Sequence, residues 1–282
     1  TKDEIESLNI PDKCKTNIDY EKSTTYQIRP FKLGQKVFPV GLKAFRVSFC
    51  QYAVNFPPLT AKYLYERFTE HFKTQEQINI YDPSSGWGGR LLGAMSVDDN
   101  RNIHYIGTDP NTDHTTTPGR TKYHEFADFF NTKTYRATGL YPKTHTYEIF
   151  QHGSEEIHND PKFQKYKGQL DLVFTSPPYF NVERYSYDDT QSWVRYKGID
   201  AWNKLFLHKV IEKVWPTIRK GGRLCVNIAD VYATSKGEKN EKGYQEITNP
   251  MNDYISTLPG AEYEGCLGMA MAQRQAAPAQ GP

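Results

Sequence analysis

Hydrophobic positions along this chain fall into short blocks whose spacing switches between that of strands and that of helices. Phe45-Arg46-Val47-Ser48-Phe49 alternates as a strand does. Asn55-Phe56-Pro57-Pro58 then opens a helix, with Pro58 near its first turn, where the missing N–H does no harm. Ala61, Leu64, Tyr65 and Phe68 follow at helical spacing. Residues 78–81 read as a short strand, a glycine-rich turn follows, and Leu91-Leu92-Gly93-Ala94 begins a helix. A second strand covers 104–107. Helical spacing returns at Tyr123, Phe126, Ala127 and Phe130, and a third strand runs over 147–154. Leu172, Val173 and Phe174 form a buried strand. An amphipathic helix covers 202–218, with Leu205, Phe206, Val210, Ile211 and Val214 on its apolar side. Gly221-Gly222 ends it, 223–230 is the next buried strand, and a further helix covers 251–258. This alternation predicts an α/β fold: a doubly wound, mostly parallel sheet of about seven strands with helices on both faces.

Polar stretches set the organisation. Residues 1–44 begin with acids and lack strong periodicity, as an arm or small subdomain does. The main domain covers 45–268 and carries two insertions, 112–147 and 180–201, while 269–282 is a low-complexity flexible tail. The segment 233–250, with Lys236, Lys239 and Lys242, reads as a loop.

The chemistry concentrates where strands end. Thr175-Ser176-Pro177-Pro178-Tyr179 stops the fourth strand, because neither proline supplies a ladder N–H. The proline after Ser176 biases it to an extended conformation. A stiff loop with hydroxyl and carbonyl acceptors beside an aromatic ring suits methyl transfer to a flat exocyclic amine. The lone pair of such an amine is delocalised into its ring. The Ser176 hydroxyl and the Pro177 carbonyl would hold its protons and let the nitrogen pyramidalise. The Ser176 hydroxyl could also donate to a neighbouring ring nitrogen. The first strand runs into Asp82-Pro83-Ser84-Ser85-Gly86-Trp87-Gly88-Gly89-Arg90, whose glycines let backbone turn sharply and approach a ligand. Its spacing matches neither the dinucleotide fingerprint nor a P-loop. Asp82 is placed to meet an ammonium group. Asp109 ends the second strand, where doubly wound sheets hold ribose hydroxyls, and Gly153-Ser154 ends the third.

These ordered pieces resemble the N4-cytosine/N6-adenine DNA methyltransferases: Thr-Ser-Pro-Pro-Tyr their catalytic motif, Asp-Pro-x-x-Gly-x-Gly-Gly their cofactor loop. The resemblance covers roughly residues 45 to 268 and implies a Rossmann-like methyltransferase sheet with S-adenosyl-L-methionine as cofactor. It implies catalytic roles for Ser176, Pro177, Pro178 and Tyr179. Cofactor contacts would come from Asn55, Phe56, Asp82, Pro83, Ser84, Gly86, Trp87, Gly88, Asp109, Gly153, Ser154 and Thr175. Ser in the first position of the tetrapeptide leans toward cytosine N4 over adenine N6. The implied partner is DNA, with the base flipped from the stack. RNA, a protein glutamine amide, or a catalytically silent nucleic-acid-binding subunit of the same fold are the alternatives.

Composition narrows this further. A net charge of +2 gives no global basic signature, so nucleic-acid contacts must be local. The stretch after the catalytic turn supplies interleaved rings and cations: Arg184, Tyr185, Trp193, Arg195 and Tyr196. Four scattered cysteines and unpatterned histidines predict neither structural zinc nor a disulfide framework. No apolar run is long enough to span a membrane. The expectation is a cytoplasmic monomer or homodimer with no metal.

Overall fold

The computed structural model describes residues 55–72, 77–98, 101–110, 120–138, 145–180, 189–233 and 243–269. The predicted strand at 45–49, the arm 1–44 and nearly all of the tail lie outside the described residues.

Helix α1 (Pro58–Phe68) precedes β1 (Gln77–Asp82), α2 (Gly89–Met95) and β2 (Asn102–Thr108). Then come α3 (Lys122–Thr138), β3 (Thr146–Phe150) and β4 (Leu170–Thr175). A helical turn α4 (Ser192–Arg195) leads to a near-continuous helical run. That run consists of α5 (Ile199–Trp202), a π segment (Asn203–Leu207), α6 (His208–Val214) and a 3₁₀ turn (Trp215–Thr217). Strands β5 (Ile218–Val226), β6 (Val231–Ala233) and β7 (Gly243–Gln245) follow, and α7 (Thr248–Ser256) is the last helix described.

Five strands form one sheet in the order β3-β2-β1-β4-β5, and every neighbouring pair is parallel. The chain moves outward from β1 through β2 to β3, then returns to the other side of β1 as β4. The order therefore reverses between β1 and β4, and the crevice beyond their carboxyl ends is where such sheets bind ligands. The fold is doubly wound, as the sequence predicts. Strand count is the difference: the described sheet has five strands, and β6 and β7 pair antiparallel with each other instead of extending it.

Strand alternation sends side chains to two cores. Ile78, Ile80, Ile103, Tyr105, Leu172 and Phe174 face α1, α2 and α3, packing on Ala61, Tyr65, Leu91 and Ala127. Tyr81, Ile106 and Val173 face the opposite layer, built from Phe163, Trp202, Phe206, Val210, Ile211 and Met251.

Three local expectations shift. β3 stops at Phe150, and Ser154 opens a 3₁₀ turn (Ser154–Asn159), so the Gly153-Ser154 pair follows the strand rather than ending it. The π segment rotates the helical phase, because i→i+5 bonding adds a residue to the turn. Leu205 is thereby 52% exposed while Phe206 and Leu207 go inward, which removes Leu205 from the apolar side. Gly221-Gly222 lies inside β5 rather than ending a helix. Gly221 has φ +80, beside the register shift that separates Leu170 from Leu172 in β4. The strand is half-exposed, not fully buried.

Beyond β5, Asp230 anchors the return to α7. One carboxylate oxygen accepts from the backbone N–H of Ile247 and Thr248 and from the Thr248 hydroxyl, each at 2.8 Å. The other accepts from Tyr244 at 2.6 Å. Burial opposes the charge, but these bonds outweigh it and hold the carboxyl down at about 2, against an ordinary 3.8. A lowered folded-state value stabilises above the unfolded pKa and is lost as pH falls through the folded one. Asp230→Ala is expected to cost about 1 kcal/mol, the usual loss of a helix cap, or roughly 2–4 °C in Tm near neutral pH. Thermal unfolding near pH 2 should bring wild type and variant closer together.

Candidate functional site

The glycine loop is built around a buried ion pair. Asp82, at the end of β1, is fully buried, and its Oδ2 accepts from Arg90 Nε and from the Tyr105 hydroxyl, each at 2.7 Å. Its Oδ1 accepts from the Ser84 N–H at 3.1 Å, and the Arg90 guanidinium also donates to the Ser84 carbonyl. Burial, then the Asp82 charge, pushes the Tyr65 and Tyr105 phenols well up, so both serve as donors. The expected free carboxylate for an ammonium group is therefore not what this geometry offers. Asp82 is a positioning residue that holds the loop shut through Arg90, a role the sequence reading missed.

Four further links pull distant segments onto this loop. The Gly86 N–H donates to Asp109 Oδ2 at 2.9 Å, and the Tyr123 hydroxyl donates to the Gly86 carbonyl. The Ser154 hydroxyl donates to the Pro83 carbonyl, drawing the end of the β3 segment against the first. The Gly89 N–H donates to Asn55 Oδ1 at 3.0 Å. A Cβ on Gly89 would lie 2.2 Å from the Phe56 carbonyl oxygen, so only glycine admits this close approach. Phe56 is buried edge-on against Phe174, with ring centroids 5.2 Å apart. Gly88, with φ +83, turns the chain into α2. Trp87 stands 63% exposed at the loop tip.

The second half is the loop after β4. Ser176 and Tyr179 are half-buried and Pro177 is buried. Phe180 has φ +48, the only positive φ of a non-glycine among the described residues. Its ring is buried against Trp202 at 6.1 Å, and its N–H donates to the Pro178 carbonyl at 3.0 Å. A buried anchor thus holds a strained backbone directly after the prolines. The Thr175 hydroxyl is buried and has no hydrogen-bond partner among the described residues. Thr175, Pro177, Pro83 and Ser84 line one pocket, floored by Val210, Ile211 and Leu224.

Asn227, one residue past β5, completes the second half. Its N–H donates to the Thr175 carbonyl at 2.8 Å, continuing the ladder. Its Nδ2 lies 3.0 Å from Ser176 Oγ and 3.0 Å from the Tyr179 hydroxyl. The sequence reading set it inside a strand over 223–230, so its only signal was an amide in an apolar run, and it is the structure that ends β5 at Val226.

The predicted nucleic-acid residues divide. Arg184 and Tyr185 lie outside the described residues. Arg195 pairs with Glu155 at 3.0 Å and Glu156 at 3.3 Å, and the Tyr196 hydroxyl donates to Glu155 at 3.0 Å. Glu155 is itself buried, next to Ser154. These two side chains therefore clamp α4 to the β3 end rather than standing ready for phosphate. Trp193 is half-buried. Among the described residues, no group of three or more His, Cys, Asp or Glu is placed to hold a metal, and no helix is long and apolar enough to cross a membrane.

A cofactor of nucleoside and amino-acid chemistry fits what is here. The glycine cradle, an acid at the second strand tip and an unpartnered buried hydroxyl at Thr175 are each suited to polar ligand groups. No family model matches this chain, and no curated protein matches it. Solved structures do resemble it. One is a SAM-dependent O-methyltransferase of Thermotoga maritima, with 13% identity, a TM-score of 0.35 and coverage of 76% of this chain. The chain spans 55% of that protein's length. A Corynebacterium glutamicum protein matches with 14% identity and a TM-score of 0.39, covering 78% of this chain and 80% of its own. A Listeria monocytogenes protein assigned to the class I S-adenosylmethionine-dependent methyltransferases matches with 15% identity and a TM-score of 0.35. It covers 77% of this chain and 57% of its own.

Proposed function

We propose that this chain transfers a methyl group from S-adenosyl-L-methionine to the exocyclic amine of a DNA base, with cytosine N4 favoured over adenine N6. The observation that carries the reading is the meeting, across the β1/β4 reversal, of a glycine cradle with a braced Ser-Pro-Pro-Tyr loop. Asn55, Phe56, Pro83, Ser84, Gly86, Trp87, Gly88, Asp109, Gly153 and Ser154 would hold the cofactor, with Thr175 between the two halves. When bound, it supplies an electrophilic methyl group on sulfonium. Ser176 and the Pro177 carbonyl would accept the amine protons, and the Tyr179 ring would stack on the base.

Withdrawing those protons into fixed acceptors favours a pyramidal nitrogen, whose lone pair is no longer shared with the ring. That stabilisation grows toward the transition state, which is where binding accelerates a reaction. With the cofactor bound, its sulfonium would yield the methyl group to that lone pair, and the surplus proton of the methylated amine would pass to water along the hydrogen bonds that Ser176 and the Pro177 carbonyl make to it. Holding the amine in line with the methyl supplies the remainder of the effect.

Nucleoside mass spectrometry of DNA incubated with the protein and S-adenosylmethionine tests the reading. N4-methylcytosine is the expected mark, N6-methyladenine would move the target, and neither mark would overturn the DNA assignment. The internal pairing of Arg195 and Tyr196 keeps RNA and protein glutamine as second substrates, read by mass spectrometry of RNA nucleosides and of peptides. Gly88→Val should abolish cofactor binding by calorimetry, because a β-branched residue resists φ +83. Wild-type affinity in that variant would reduce the loop to a turn.

A further inference from the structure

Resting on that reading, we infer that Asn227 is a positioning residue that fixes the hydrogen-bond polarity of Ser176, so that the site selects an amine with an acceptor nitrogen beside it. Tyr179 sets the direction of these hydrogen bonds. Its hydroxyl has one proton, which it donates to the Asn227 backbone carbonyl at 3.3 Å. Toward the Asn227 side chain, 3.0 Å away, it can then only accept. The amide nitrogen faces it, with the amide oxygen turned away.

That same nitrogen lies 3.0 Å from Ser176 Oγ. Its two protons serve two hydroxyls, one each. Ser176 therefore accepts from Asn227, and its own proton cannot point back along that line. One lone pair and one proton remain for a ligand. The lone pair takes an amine N–H, while the proton needs an acceptor on the same edge. Cytosine offers N3 beside its amine, and adenine offers N1.

The geometry that holds Asn227 is rigid. Its N–H is tied to Thr175, the residue before Ser176, at 2.8 Å. Three residues later Asp230 takes four hydrogen bonds from the α7 segment and Tyr244. The amide thus stands between the sheet edge and a pinned loop, placed to act through Ser176 rather than on the substrate.

The test compares methylation of duplex DNA containing cytosine or 3-deazacytosine, and adenine or 1-deazaadenine, at saturating S-adenosylmethionine. Removing the ring nitrogen strands the Ser176 proton, so wild type should turn over the deaza substrate about tenfold more slowly, or worse. In Asn227→Asp the carboxylate can only accept, so it turns the Ser176 proton inward. Turnover of the natural base should fall while the natural-to-deaza ratio collapses toward one. Cofactor affinity by calorimetry should stay as in wild type. Asn227→Ala, which frees the hydroxyl to rotate, should give an intermediate ratio and serves if the aspartate variant does not fold. A merely structural asparagine would slow both substrates alike, and an unchanged ratio in the variants overturns the inference while leaving the methyltransferase reading intact. A wild-type ratio of one does the same. No methyl mark on either natural base overturns both.

Discussion

Arg90→Ala is expected to lower the stability of the domain by about 3–5 kcal/mol, the cost of leaving a buried charge without its partner. For a domain of this size that corresponds to a Tm drop of roughly 6–20 °C. The reason is local. Asp82 is 0% exposed, and its Oδ2 takes hydrogen bonds from Arg90 and Tyr105, so removal of the guanidinium leaves a carboxylate facing phenols and apolar walls. Arg90→Lys should recover little, because its single ammonium cannot reach Asp82 and the Ser84 carbonyl as the guanidinium fork does. Asp82→Asn keeps an acceptor for both donors, so it should lose less stability than Arg90→Ala. Thermal unfolding of the three variants checks the ordering. If Arg90→Ala melts with wild type, the ion pair does not support the loop.

Ser176→Ala is expected to leave the fold and cofactor affinity alone and to reduce turnover about 10²–10³-fold, by analogy with losing one preorganised transition-state hydrogen bond. Ser176 is half-buried, and the loop keeps its prolines, the Phe180 anchor and the Asn227–Thr175 bond. The loss should therefore appear in kcat more than in KM. Single-turnover methylation read by mass spectrometry separates the two. A variant with wild-type turnover would remove the hydroxyl from the chemistry.

These expectations differ in how much of them the sequence could supply. The Ser176 expectation needs only a strand that ends in Ser-Pro-Pro-Tyr, since two prolines end a ladder whatever surrounds them. The Arg90 expectation needs the folded loop. Read along the chain, Asp82 looked like a ligand for a cationic group; folded, its cation is Arg90, on the first turn of the next helix. The same holds for Arg195 and Tyr196, which interleave like nucleic-acid contacts but are captured by Glu155, forty and forty-one residues away.

By itself, the sequence determined the fold class, the existence of β1 to β4 and the turns that follow them. Apolar period and the Gly, Pro and Asp punctuation at these strand ends are local properties, set by residues that are neighbours in the chain. It did not determine helical phase at Leu205, because a π segment depends on what the helix packs against. Nor did it determine the strand count or the course of β5 through Gly221, where a left-handed glycine and a register shift accommodate the neighbouring strand. The tertiary structure alone decided the pairings: Asp82 with Arg90, Ser154 with Pro83, Glu155 with Arg195, and Asn227 with Ser176 and Tyr179. Most of these join strand ends far apart in the chain. Which ends meet is set by the order β3-β2-β1-β4-β5, and strand order comes from crossover packing over the whole domain rather than from any window of residues.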